Sequence, residues 1–150
     1  MKQLKNVDHT FDLMVGETGF TVRKGEKWYK NLKVGEIIEL WKCSTQHTGQ
    51  CSSSTCEYCG QGEIVYSSPE FFKNLSAELL LFQHNKKSRD YHFLFNTMLK
   101  SYEKFSYNDV VSLVFYKRLN KGKSCLENLL EGLRSIFGLN RLPVSNQPGK

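Results

Sequence analysis

No stretch of this chain approaches the roughly 18 consecutive apolar residues that a membrane-crossing helix needs. The best candidate, Leu75 to Phe82, is short and interrupted by polar residues. The first eight residues are polar and no apolar segment follows them, so a secretory leader is not expected. Long proline, glycine or polar tracts are absent outside the last residues, which argues against extended disorder. A P-loop, a dinucleotide-binding glycine fingerprint, a nucleophile elbow and internal repeats are missing too, which sets aside the enzyme classes and repeat folds built on them.

What is present suits one globular domain. A hydrophobic fraction of 39% over 150 residues is enough for one ordinary core. The sequence therefore predicts an α+β domain over residues 1–138 and a flexible tail over 139–150. Lys and Arg total 21 against 15 Asp and Glu, and the resulting +6 charge favours approach to polyanions such as nucleic acid, although many basic surfaces bind none. A soluble, intracellular (cytoplasmic) protein without membrane contact is expected. In such a reducing compartment the five cysteines suggest metal before disulfides.

Along the chain, residues 1–8 give little, and Phe11 to Val15 before Gly16 favour a helical turn over a strand. Residues 19–23 alternate as a strand, with Phe20 and Val22 on one face and Thr21 and Arg23 on the other. A basic linker, 24–33, interleaves Lys24, Lys27, Lys30 and Lys33 with Trp28 and Tyr29. That mixture suits phosphates and planar rings, or equally a core plug among solvated lysines. Val34-Gly35-Glu36 is a turn, and strands 37–41 and 60–66 pair as a hairpin around a long excursion, 43–59. Ser68-Pro69-Glu70 starts a turn or helix, with Phe71, Phe72 and Leu75 as core contacts. Helices follow at 76–82 and 91–104, flanking a basic loop, 86–89, and then comes a strand at 109–116. A capping box at Ser124 and Glu127 opens a last helix, 124–138.

Gly16-Glu17-Thr18-Gly19-Phe20-Thr21-Val22-Arg23, then Leu32 to Ile38, a hairpin, a helical pair ending at Tyr102 and the strand 109–116 resemble the ASCH domain of the PUA-like superfamily. The match covers about residues 10–118. The resemblance implies a small antiparallel β-barrel with flanking helices, and a cleft that binds RNA, other nucleic acid or a nucleotide-like ligand. It places that ligand at Thr18, Thr21, Arg23, Lys24, Lys27 and Trp28. The family signature is glycine, any residue, lysine, then an arginine five positions beyond the lysine, with a glutamate or threonine two before the arginine. Gly16, Thr21 and Arg23 match, but Thr18 stands where the lysine falls.

In the bacterial N4-acetylcytidine amidohydrolases, which this stretch distantly resembles, that lysine is catalytic. A threonine hydroxyl cannot replace its amine, so the reading leans away from an enzyme. If hydrolysis of a modified nucleoside or RNA remained, Thr21, Lys27 and Asp90 would carry it, with Glu78 as a rival to Asp90. A third reading is a protein-interaction or inhibitor module directed at a nucleic-acid machine. Taken without the family, Arg23 reads as a salt bridge to Glu17, Glu36 or Glu39.

Cys43-x7-Cys51-x4-Cys56-x2-Cys59 offers four thiolates in a polar excursion that has nothing to build a core with. Tetrahedral structural zinc on Cys43, Cys51, Cys56 and Cys59 is the leading reading, with His47 as a substitute for Cys43 or Cys51. The alternatives are a mobile loop with free thiols and, in an oxidising environment, a disulfide. Beside the ASCH resemblance this excursion looks like a cysteine-rich insertion in the hairpin, available to a protein partner. Cys125 reads as simply buried.

Overall fold

The structure is a computed structural model that describes residues 1–7, 11–44 and 49–121. His47, Cys125, the expected helix 124–138 and the tail 139–150 lie outside the described residues. Five strands, β1 (Lys2–Val7), β2 (Thr18–Lys24), β3 (Ile37–Cys43), β4 (Cys56–Phe71) and β5 (Val110–Arg118), form one sheet in the order β1-β3-β4-β5-β2. Three short helices accompany them: α1 (Lys27–Asn31), α2 (Ala77–Leu80) and α3 (Tyr91–Ser101). The α+β class is as expected. All pairings are antiparallel except β1 with β3, and the sheet is open, with β1 and β2 at its edges. The closed antiparallel barrel implied by the family resemblance is therefore not seen among the described residues.

Strand periodicity sorts the core into two layers. On β2, Phe20 and Val22 join Val111 and Leu113 of β5 against Leu94 and Met98 of α3, with Phe72, Phe105 and Leu80 completing the cluster. The other face carries Leu4, Ile38, Leu40, Ile64, Val114 and Tyr116, joined by Phe11 and Leu13. β5 is covered on both faces, which explains why 109–116 reads as a continuous apolar run rather than an alternating one. Gly62 belongs to the second layer by necessity, since a Cβ there would lie 2.7 Å from the Tyr116 ring that packs over it.

Four sequence expectations change. Residues 11–16 are not helical: Arg118 Nη1 donates to the carbonyls of Phe11 and Leu13, which directs their backbone outward to a neighbour, and Gly16 closes a turn at φ +90°. β1 gave no strand signal because Leu4, its buried residue, stands among the polar residues Lys2, Gln3, Lys5 and Asn6. Residues 68–70 continue β4 instead of starting a turn or helix. β3 stops pairing at Glu63, so this half of β4 has β5 as its one partner strand and tolerates Pro69 as an edge does. Phe71 is exposed rather than a core contact, while Phe72 and Leu75 are buried. The remaining hairpin, the turn at 34–36 and the helices at 76–82 and 91–104 appear close to their expected places, with the linker contributing α1.

Candidate ligand recess and metal centre

Register fixes which residues of β2 can act together. Thr21 lies opposite Val114 and Arg23 opposite Ser112, on the face of Tyr116 and Leu40, whereas Thr18 and Lys24 share the opposite face. Thr21 is buried. The Nε and Nη2 atoms of Arg23 are shielded from solvent and have no hydrogen-bond partner, and no ion pair to Arg23 forms among the described residues. The three carboxylates that could have neutralised it are committed elsewhere. Glu17 accepts from the Met14 N–H at 2.8 Å, Glu36 pairs with Lys2 at 2.7 Å, and Glu39 accepts from Gln3 and the Trp41 indole, each at 3.0 Å.

Nearby, the Tyr116 hydroxyl is also buried without a partner. Burial pushes its pKa far up, an effect the Arg23 and Arg118 charges offset only in part. His84 lies in the same region, its ring 5.0 Å from Phe11 and 6.0 Å from Tyr116 between centroids. Sequence reading passed over Tyr116 and His84, because a tyrosine at the end of an apolar strand and a histidine after a helix carry no local signal. The bridge that pairs Gln83 with Phe20 brings His84 to β2.

Trp28 stands over Arg23, its ring centroid 5.8 Å from the guanidinium carbon. Ser112 sets that position. Its hydroxyl donates to the Gly25 carbonyl at 2.5 Å and accepts from the Tyr29 N–H at 3.3 Å, tying the start of α1 to β5. Trp28 also lines a cavity of about 510 Å³ together with Lys2, Lys5, Lys27, Gln3 and Asn31, and no acidic residue among the described residues lines it. The structure thus places Thr21 and Arg23 on one strand face and joins Arg23, through Trp28, to a cavity that Lys27 also lines.

The other expected site residues lie apart. Lys24 braces the segment before β5, reaching the Glu103 carbonyl at 2.9 Å and Asp109 at 3.4 Å. Thr18 is exposed at the start of β2. Asp90 caps α3, accepting from the Phe93 N–H at 2.7 Å. Glu78 is exposed in α2, where hydrogen bonds from its own backbone and Ser76 lower its pKa.

The cysteines divide. Cys43 and Cys56 face each other across β3 and β4, their sulfurs 2.8 Å apart, and Cys51 brings its sulfur to 3.4 Å from that of Cys43. All three sulfurs lie within 4.8 Å of one another, an arrangement compatible with a metal site. Trp41 and Tyr58, with ring centroids 5.1 Å apart, cover the cluster. Burial, together with the neighbouring thiol groups, raises the Cys43 pKa strongly; burial also raises that of Cys51.

Cys59 is elsewhere. It follows Cys56 by three positions within one extended strand, which puts the two on opposite faces, and the strand bulges between Tyr58 and Gly60. Its side chain accordingly packs on the Leu40 and Tyr116 layer. The Cys-x2-Cys spacing suggested a knuckle, which needs a turn that this strand does not make.

No family model, curated protein or solved structure matches the chain.

Proposed function

We propose that the protein binds an RNA or another nucleotide-like ligand beside Arg23 and Trp28, with Thr21 and Tyr116 on the same strand face and the lysine-lined cavity receiving further phosphate. The observation that carries this reading is the pair of shielded Arg23 donors, Nε and Nη2, that meet no acceptor among the described residues. Arg23 is half-buried, and a shielded donor left without an acceptor costs about 1–3 kcal/mol, so the retention of two of them fits a group held ready for an anionic or hydrogen-bond-accepting ligand. Trp28 offers a face on which a base can stack, and Lys27 and Lys5 offer positive charge beside it. The ASCH resemblance, with its PUA-like fold, points to the same threonine and arginine.

Fluorescence titration with nucleoside monophosphates and a short single-stranded RNA tests the reading. Binding should weaken with salt and fall roughly thirtyfold in Arg23→Met, the equivalent of about 2 kcal/mol for one charge-assisted contact. Unchanged affinity in Arg23→Met and Trp28→Ala, or no affinity in the unaltered protein, refutes it.

A further inference from the structure

Cys51 is held before any ligand arrives. Its N–H donates to Gln3 Oε1 at 2.7 Å and its carbonyl accepts from Gln3 Nε2 at 3.1 Å, so β1 clamps it from both sides. The chain then turns tightly, with the N–H groups of Thr55 and Cys56 both donating to the Ser52 carbonyl, at 3.0 and 2.8 Å. This turn returns the backbone to β4 and sets Cys56 opposite Cys43. Three thiols thus converge from two strands and a clamped loop. Metal–sulfur bonds near 2.3 Å in a tetrahedron require sulfurs about 3.8 Å apart, a spacing that the cluster reaches with small side-chain movements.

We propose that Cys43, Cys51 and Cys56, without Cys59, form a three-thiolate site for a thiophilic cation of the Zn²⁺ class. Cys59 cannot join while β4 stays paired, because its sulfur lies on the other face and its carbonyl accepts from Arg118 Nη2 at 2.7 Å. The ion would replace the sulfur–sulfur contacts of the cluster, and its binding energy would fix the loop between β3 and β4. Gly49 and Gln50 of that loop also line the lysine-rich cavity, so the ion holds part of its wall.

Titration of the reduced, metal-free full chain with Zn²⁺ alone, read by competition with a chromophoric chelator and by the thermal unfolding midpoint, tests the proposal. One equivalent should bind and raise the midpoint in the unaltered chain and in Cys59→Ser. Both effects should vanish in Cys51→Ser and Cys56→Ser. Should Cys59→Ser fail to fold, Cys59→Val keeps its apolar packing and gives the same comparison. Loss of zinc in a folded Cys59 variant, retention in Cys51→Ser and Cys56→Ser, or no binding by the unaltered chain overturns it.

Discussion

Arg118 donates to four backbone carbonyls, those of Phe11, Leu13, Cys59 and Asn120, whereas the Nε and Nη2 groups of Arg23 donate to none. The first arginine is consumed by the fold, because it fastens Phe11 and Leu13 to β4 and β5. Replacing it with methionine leaves three buried carbonyls unpaired and should cost about 3 kcal/mol or more in chemical denaturation. Arg23→Met removes an uncompensated charge and should leave stability unchanged or raise it by about 1 kcal/mol. Tyr116→Phe, which deletes a buried hydroxyl with no partner, should likewise stabilise by about 1 kcal/mol. Nothing local in the sequence separates the two arginines. Each follows or ends an apolar strand, and their difference arises from which carbonyls and carboxylates the fold brings near.

At the scale of elements, β5 depends on the turn before it. Asp109 accepts from the Ser106 N–H at 3.0 Å and pairs with Lys24, and these contacts hold its carboxyl below the ordinary aspartate range, the Ser106 hydrogen bond being the larger cause. A depressed folded-state pKa contributes stability above the unfolded value, about 4, and that contribution is lost as pH falls through the folded value. Acid titration of the unfolding midpoint should therefore show a shallower decline below about pH 4 in Asp109→Asn than in the unaltered protein. The strand itself was legible from its apolar run, and the hairpin from its turn residues, because burial on both faces and glycine turns leave local signatures. The glycines at 60 and 62 suggested a bulge or sharp bend, which the register shift beside Gly60 bears out, whereas β1 was not legible, since polar residues on both sides of Leu4 leave no period to read.

Across the whole molecule, the sheet is anchored at β4 and β5, while β1 pairs with β3 alone. No helix among the described residues is long and apolar enough to cross a membrane. Amide hydrogen exchange should accordingly be slowest in Val111–Tyr116 and distinctly faster in Lys2–Lys5, with uniform protection counting against this arrangement. The sequence by itself determined the α+β class, most strand and helix positions, the pairing of Thr21 with Arg23 on one face and the clustering of thiols in one excursion. These depend on periodicity and turn chemistry, which act over a few residues. Long-range packing was needed to show that, among the described residues, the sheet stays open and Arg23 goes without a carboxylate, that Tyr116 and His84 come close to each other on that layer, and that Cys59 parts from Cys43, Cys51 and Cys56. Those outcomes depend on strand order, register and a bulge, which are set by contacts between residues far apart in the chain.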